Sequence, residues 1–217
     1  MNNSTTDKTS QDTEQAILMA AEKEFLSKGF AGARTTSIAE SAGVTHAMLH
    51  YYFRTKAKLF DRVLGEKIKL LKEALFSSFD YSNASLEEII LNIVERHLDF
   101  IAANPELPRF LIEEIYSDQE RSNIFLEQID RYAPIILRAM QQKINDEAAK
   151  GTCRMVDARM LMLDIASLNI FSFIAAPVVK AALGDLTADS EAFLAMRKKE
   201  NYDTIIRKLN LLNFRKL

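Results

Sequence analysis

Residues 42–60 read AGVTHAMLHYYFRTKAKLF and hold two of the chain's three histidines together with three basic residues. Gly43 is suited to end one helix, because glycine readily adopts the left-handed conformation found at helix C-termini. Thr45 is a favourable N-cap for a helix that would run to about Phe53, and Thr35 is predicted to cap the short helix before it. Two helices joined by a turn of about three residues have the dimensions of a helix-turn-helix. The sequence therefore predicts this motif over about residues 34–53.

The helix after Thr45 is predicted to have two chemically different faces. At about 100° per residue, Leu49 and Phe53 share an apolar side that can pack on the preceding helices. The opposite side carries His46, Ala47, His50 and Tyr51. Imidazoles can reach base edges, and a small alanine allows the helix backbone to approach a surface closely. Such a helix fits a major groove that is about 12 Å wide, which indicates a surface that faces DNA.

Charge is distributed unevenly along the chain. The whole protein has a formal net charge of −2, whereas residues 44–72 contain seven basic and two acidic side chains, a balance of +5. A charge run of this kind is often only a solvated helix face. Here, the polar side of the helix is flanked by groups of the type that bind phosphates, at Thr35, Thr45, Tyr52 and Lys56. Together with the helix-turn-helix spacing, they favour DNA binding.

Composition predicts an all-α fold. Glycine (6 residues) and proline (4 residues) are scarce, and apolar residues recur at helical rather than strand spacing. We expect about nine helices, with a flexible N-terminal arm at residues 1–10 and an N-terminal three-helix helix-turn-helix domain at 11–71. A C-terminal helical bundle is expected at 72–217. One of its helices should begin with a capping box formed by Ser85 and Glu88.

Several classes of protein are disfavoured. The chain lacks glycine-rich phosphate loops, metal-ligand spacing and a nucleophile–base pair, so we expect no enzyme, no cofactor and no metal site. Cys153 is the single cysteine, which excludes an internal disulfide. No signal peptide is recognisable, and the most apolar stretch, residues 160–179, is interrupted by Asp164 and Asn169, so we expect no membrane span. A cytoplasmic location, with nucleoid association on DNA, is the expectation.

The run TTSIAESAGVTHAMLHYYFRTKAKLF at residues 35–60 resembles the DNA-binding signature of TetR-type transcriptional repressors, and the likeness extends over about residues 11–71. The resemblance implies a homodimer that binds a pseudo-palindromic, double-stranded DNA operator. It implies phosphate contacts from Thr35, Tyr52 and Lys56, and base contacts drawn from Thr36, Thr45, His46, Ala47, His50 and Tyr51. Met48 stands where the family commonly has a threonine that contacts a phosphate, and His50 stands where it commonly has a tyrosine. The change at His50 indicates that this protein has an operator sequence of its own.

The resemblance also implies a dimer interface and a ligand cavity in the C-terminal half. The eighth predicted helix is apolar around nearly its whole circumference, and small side chains would allow close helix approach at Ala166, Ser172 and Ala175. A buried central helix in a monomer is the alternative. The candidates for the cavity wall are His97, Phe100, Phe110, Tyr116, Asn169 and Phe171, although a lone histidine at position 97 also suits a hydrogen-bonded core residue.

Two functional interpretations stay open at this point. The first is a repressor that a small apolar ligand releases from its operator. The alternative is a DNA-binding protein of the same fold without a small-molecule inducer, either architectural or controlled by a protein partner. An apolar cavity in the structure would favour the first interpretation, and a filled core would favour the second.

Overall fold

The computed structural model describes residues 3–76, 81–117 and 119–209, and within these ranges the protein is helical without a strand. The predicted all-α class is therefore confirmed. The helices are α1 (Asn3–Gly32), α2 (Thr35–Ser41), α3 (His46–Phe53), α4 (Lys56–Phe76), α5 (Leu86–Ala103), α6 (Leu107–Ser117), α7 (Gln119–Ala149), α8 (Ala158–Ile174), α9 (Ala176–Leu183) and α10 (Ser190–Leu209). A 3-10 helix at Gly184–Thr187 follows α9.

Two helix boundaries differ from the sequence prediction. The described ranges contain ten α-helices, because α9 is not predicted from the sequence, which instead predicts an eighth helix from Asp157 to about Ala176. In the structure α8 ends at Ile174 and Pro177 lies in the first turn of α9, where the missing N–H of proline costs no hydrogen bond. At the other end of the chain, α1 begins at Asn3, within the segment predicted to be a flexible arm at residues 1–10.

The hydropathy of the helices bears on membrane insertion. Within the described ranges no single helix is both long and apolar enough to cross a membrane. One pair of helices, Ala158–Ile174 and Ala176–Thr187, reaches the required length and composition together, and it is bent by 80°.

Backbone contacts divide the chain into two compact units. The N-terminal unit comprises Met1–Leu70 and Phe110–Phe125, and the C-terminal unit comprises Leu71–Arg109 and Leu126–Leu217. The core of the N-terminal unit is formed by fully buried apolar side chains from the first four helices, namely Ile17, Ala21, Phe25, Ile38, Leu49 and Leu59. The helices of the predicted helix-turn-helix domain therefore share one apolar core.

An aromatic cluster in the N-terminal unit depends on Gly29. Gly29 has φ 66° and ψ 173° inside α1, a conformation that is essentially restricted to glycine. After this break in α1, Phe30 stacks on Phe25 with the ring centroids 6.1 Å apart and meets Phe60 edge-on at 5.1 Å. The backbone N–H of Phe30 donates a hydrogen bond to Glu114 Oε1 at 2.8 Å. One glycine thus permits a turn that three aromatic rings and a carboxylate stabilise.

The C-terminal unit is built around a second apolar core. Helices α5, α7, α8 and α10 each contribute buried side chains, which are Leu86, Ile89, Ile90, Ile93, Val94, Met140, Ile144, Ala158, Leu161, Ile165, Ile205 and Leu209. The predicted capping box at the start of α5 is confirmed: Ser85 Oγ accepts from the Glu88 N–H at 3.2 Å, and Glu88 Oε2 accepts from the Ser85 N–H at 2.8 Å. Helix α5 contacts both α8 and α10.

Replacing Gly29 and Gly65 with alanine should change stability in opposite directions. Gly29→Ala places a Cβ 3.3 Å from Glu114 Oε1 at a positive φ, so we expect the free energy of unfolding to fall by about 1–3 kcal/mol. Gly65 lies inside α4, and an added Cβ there meets nothing within 4 Å. Gly65→Ala should therefore raise the free energy of unfolding by about 0.5–1 kcal/mol. Denaturant titration measures both, and effects of the same sign would contradict the role assigned to Gly29.

Candidate nucleic-acid interface

Helix α3 presents the two faces that the sequence predicts. Leu49 and Phe53 are buried. His46 and Ala47 are exposed, and Tyr51 has 72% of its surface exposed. The helix begins at Thr45, whose Oγ1 accepts a hydrogen bond from the Met48 N–H at 3.2 Å. Burial of one side of α3 therefore leaves the other side available to a partner.

The predicted N-cap of α2 is wrong by one residue. The N-cap is Arg34, whose side chain makes no capping hydrogen bond. Glu24 Oε1 accepts from the Arg34 N–H at 3.2 Å and from Lys28 Nζ at 2.8 Å, and the hydrogen bond from Lys28 is the main cause that lowers the pKa of Glu24. Because a carboxylate from α1 stabilises this helix start, the Thr35 hydroxyl is available for another contact.

The histidines of α3 form a hydrogen-bonded chain that the sequence reasoning missed. Thr35 Oγ1 lies 2.9 Å from His46 Nε2, and His46 Nε2 lies 3.1 Å from His50 Nε2. His50 Nδ1 is 3.0 Å from the carbonyl oxygen of Arg54, and since a carbonyl only accepts, His50 Nδ1 carries the proton. The imidazole planes are 89° apart, with centroids 4.4 Å apart. The i, i+4 spacing of the histidines was the signal for this contact.

Arg54 ends α3 in an unusual backbone conformation. Its φ of 61° makes it the one non-glycine residue with a positive φ among the residues that the structure describes. With a ψ of −53°, this positive-φ conformation lies outside the regions that are favourable for a residue with a Cβ. The Arg54 N–H donates to the His50 carbonyl at 2.9 Å, and the Arg54 carbonyl accepts from the His50 ring. These two hydrogen bonds offset the strain and orient the imidazole of His50.

The predicted phosphate-binding residues Tyr52 and Lys56 are both half-buried. The ammonium of Lys56 lies 4.6 Å from the centroid of the Phe30 ring and 3.5 Å from the carbonyl oxygen of Ala31. The ring of Tyr52 meets Tyr51 edge-on, with centroids 5.5 Å apart. The structure therefore holds both side chains beside α3 rather than extended into solvent.

Part of the basic run is neutralised within the protein. Arg62 pairs with Glu66 at 3.2 Å and with Glu14 at 3.7 Å, and Lys67 pairs with Glu22 at 2.6 Å. Six of the seven basic residues of the run lie in α4, and Arg54 is the C-cap of α3. At the junction of the two helices, Arg54 and Lys58 are exposed. The positive charge that the run offers to a partner is therefore smaller than its count of basic residues indicates.

The six candidates for a ligand cavity are divided between the two units. Phe110 and Tyr116 belong to the N-terminal unit. Phe110 is buried there with its ring 5.8 Å from that of Phe60, and Tyr116 is 87% exposed. In the C-terminal unit Phe100 is half-buried, and Phe171 is 63% exposed on α8. Contacts between distant helices decide these positions, and the local sequence pattern does not encode them.

His97 and Asn169, the remaining two candidates, are part of one buried polar network. Asn169 Nδ2 donates to the Val94 carbonyl at 3.0 Å and to His97 Nδ1 at 3.2 Å. Asn201 Nδ2 donates to Asn169 Oδ1 at 2.8 Å. Burial lowers the pKa of His97 to about 4, so the ring is neutral with its proton on Nε2. This arrangement favours the interpretation of His97 as a hydrogen-bonded core residue.

A groove on the C-terminal unit offers a different place for a ligand. Its volume is about 530 Å³, which lies within the range of small-molecule sites. The walls are mostly apolar, with polar groups toward the end of α7. The lining residues are Tyr81, Ile89, Ile93, Ile135, Ile136, Ala139, Met140, Gln142, Lys143 and Asp146. The sequence reasoning named none of them, since the groove arises where α5 and α7 lie side by side.

The outward face of α8 is apolar. Met160, Leu163 and Phe171 are exposed, the latter two with 56% and 63% of their surface accessible. These positions share one side of the helix at about 100° per residue. Of the three small residues predicted for a dimer interface, Ala166 and Ser172 lie on other sides of α8 and Ala175 is its C-cap, and all three are half-buried.

Comparison with known proteins finds one matching family model and several curated relatives. A family model for bacterial regulatory proteins of the tetR family matches residues 17–63. The HTH-type transcriptional repressor BepR of Brucella suis is 27% identical over 140 residues, which are 61% of this chain and 59% of that protein. The HTH-type transcriptional repressor NicS of Pseudomonas putida is 32% identical over 109 residues, 47% of this chain and 48% of that protein. The chain thus spans about half the length of these curated relatives.

Likeness to solved structures extends over nearly the whole chain. The transcriptional regulator FadR from Bacillus subtilis, solved in complex with stearoyl-CoA, aligns with a TM-score of 0.62 over 90% of this chain and 99% of that chain. The sequences are 17% identical over this alignment, so the likeness shows a shared fold.

The buried His97 should make stability depend on pH. The folded protein holds the pKa of His97 at about 4, against an ordinary value of 6.5. Between these values the unfolded chain binds a proton that the folded protein does not. The free energy of unfolding should therefore fall as the pH decreases from about 6.5 to about 4, by up to about 3 kcal/mol from this residue. Denaturant titrations of wild type and His97→Gln isolate the effect, and a pH-independent difference between them would contradict it.

Proposed function

Because the chain belongs to the TetR family of bacterial regulatory proteins, we propose that it is a sequence-specific, DNA-binding transcriptional repressor. The observation that carries the proposal is the orientation of α3, which buries Leu49 and exposes His46, Ala47 and Tyr51. The relatives are named as transcriptional regulators, not as enzymes. The proposed location is the cytoplasm, with association to the nucleoid when DNA is bound.

The proposed contacts divide by chemistry into two groups. Base edges in the major groove are read by residues drawn from Thr36, Thr45, His46, Ala47, His50 and Tyr51. Phosphates are bound by Thr35, Tyr52 and Lys56, with Arg54 and Lys58 as further exposed cations at the same end of α3. The contact of Lys56 with the Phe30 ring supports its role, because a side chain that is already ordered loses less conformational entropy on binding.

We propose that two copies of the chain bind a pseudo-palindromic operator as a homodimer. The exposed apolar face of α8 supports this assembly, since an apolar patch of this kind is a common protein–protein interface. Leu163 and Phe171 are at its centre, and Ala166 lies beside it where close approach of helices is favourable. Dimer symmetry places two copies of α3 on half-sites about 34–36 Å apart.

We propose that a small apolar molecule releases the repressor from DNA. The groove between α5 and α7 supports this step, because its walls are apolar while Lys143 and Gln142 offer polar contacts at one end. FadR, which shares the fold, was solved with stearoyl-CoA, a molecule that combines an apolar chain with a polar group. The groove, rather than His97, is therefore the proposed effector site.

The alternative is a DNA-binding protein without a small-molecule inducer. The network of His97, Asn169 and Asn201 favours it, since two of the candidates for a cavity wall are hydrogen-bonded to each other within this network. The two functions differ in one measurable property: an inducer and operator DNA must weaken each other's binding by the same factor. A compound that binds the groove with equal affinity in the presence and absence of operator DNA is not an inducer.

Substitutions on α3 and α4 should separate base reading from phosphate binding. His46→Ala and His50→Ala should each reduce preference at particular base pairs by about 1–3 kcal/mol. Lys56→Ala should weaken binding to every sequence similarly and reduce the slope of log affinity against log salt by about 0.9. Fluorescence anisotropy with a selected operator and its point variants measures both effects.

Lys150→Ala serves as the matched control for the lost charge. Lys150 is an exposed lysine of the C-terminal unit, paired with Glu147 at 2.9 Å. Its removal should leave the affinity for DNA and its salt dependence unchanged. A change of base preference in Lys56→Ala, with none in either histidine variant, would show that the proposed roles are reversed.

A charge on the outward face of α8 should separate the dimer. Leu163→Glu places a carboxylate in the proposed apolar dimer interface, where burial of an unpaired charge is unfavourable. Wild type should sediment as a dimer at micromolar concentration and Leu163→Glu as a monomer. Tyr116→Glu, at an exposed position of α6, should remain a dimer. A monomeric wild type would contradict the proposed homodimer, and a dimeric Leu163→Glu variant would contradict the proposed position of its interface on α8.

A further inference from the structure

The two imidazoles of His46 and His50 on α3 are suited to a second role besides contacts with bases. We propose that His46 and His50 together bind one divalent transition-metal ion through their Nε2 atoms. Among the residues that the structure describes, no group of three or more histidine, cysteine or carboxylate side chains is placed to hold a metal ion. The proposed site therefore has two protein ligands, and water fills the other coordination positions.

The distance between the two nitrogens fits a chelated ion. His46 Nε2 and His50 Nε2 are 3.1 Å apart. For metal–nitrogen distances of about 2.0–2.1 Å, this separation corresponds to an angle of about 98° at the ion. Such an angle lies between about 90° for square-planar or octahedral geometry and about 109° for tetrahedral geometry. One turn of α3 thus brings both donors to chelating distance.

The surroundings of His50 are those of a metal ligand. Its Nδ1–H donates to the Arg54 carbonyl at 3.0 Å, and metal-bound histidines usually donate their second N–H to a carbonyl or carboxylate. This hydrogen bond leaves the Nε2 lone pair available, and without an ion His46 Nε2–H donates to it. When an ion binds, the proton on His46 Nε2 moves through solvent to its Nδ1, so both ligands remain neutral imidazoles.

The ligand chemistry selects among ions. Imidazole nitrogen suits copper, nickel and zinc, whereas magnesium and calcium prefer oxygen ligands. Among the residues that the structure describes, no carboxylate is hydrogen-bonded to either imidazole ring. The site therefore lacks the oxygen ligands that hard cations prefer. Since His46 is exposed, an ion can enter directly from solvent, and Cu²⁺ should bind most tightly.

The site also has a consequence for DNA binding, which, unlike the site itself, rests on the proposed function. An ion takes the same Nε2 atoms that would contact bases. Metal and operator should therefore weaken each other's binding by an equal factor. This coupling would make the repressor responsive to transition metals through its DNA-facing surface.

Calorimetric titration without DNA tests the site. Cu²⁺ and Mg²⁺ are titrated near neutral pH into wild type, His46→Asn, His50→Asn and the control His97→Asn. His97 serves as the control because its Nδ1 already accepts a hydrogen bond from Asn169. We expect one Cu²⁺ per chain in wild type and no binding of Mg²⁺. Each α3 variant should lose at least about tenfold in affinity because the chelate is lost, and His97→Asn should bind as wild type does. Circular dichroism verifies that every variant is folded.

NMR with Zn²⁺ gives a second readout on unmodified protein. The imidazole signals of His46 and His50 should shift, while those of His97 should not. Unchanged Cu²⁺ affinity in His46→Asn and His50→Asn would overturn the proposal, as would equal shifts at all three histidines. Neither result depends on whether the protein binds DNA, so failure of the metal site is distinguishable from failure of the proposed function.

Discussion

The burial of Leu49 and Phe53 holds α3 in place, and the whole proposed DNA surface depends on it. The helix has eight residues, whereas isolated helices shorter than about 12–15 residues are marginal in water. Each buried side chain of this size contributes about 1.5–3 kcal/mol, so packing rather than helix propensity stabilises α3. Because His46 and Tyr51 project from the opposite side, the anchoring of one face also fixes the presentation of the other.

The residues that flank α3 also depend on the core of the N-terminal unit. Gly29 permits the turn that brings Phe30 into the aromatic cluster, and the ring of Phe30 in turn holds the ammonium of Lys56. Thr35 contacts His46 across the helix-turn-helix. The proposed phosphate contacts are therefore coupled to the core of the N-terminal unit, and a substitution in that core should affect DNA binding as well as stability.

The C-terminal unit buries polar side chains in its interior and exposes apolar side chains on part of its surface. Its interior holds an apolar core and the hydrogen-bonded side chains of Asn169 and Asn201, and burial lowers the pKa of His97 so that the ring is neutral. Its exterior has an apolar face on α8, with Leu163 and Phe171 exposed, and a groove between α5 and α7. The features proposed for assembly and for effector binding are therefore both on the surface, where loss of water from apolar side chains drives association.

Local properties of the sequence were enough to predict the all-α class, the two faces of α3 and the capping box at Ser85, because helical periodicity and capping involve residues within four positions of each other. Tertiary structure alone decided the contact between Thr35 and His46, the place of Phe110 against Phe60, and the start of α9 at Ala176. These features depend on which helices pack together, and that choice reflects the burial of apolar surface summed over the whole chain. A local pattern shows which side of a helix is apolar, but only the packed fold shows which side chains meet there.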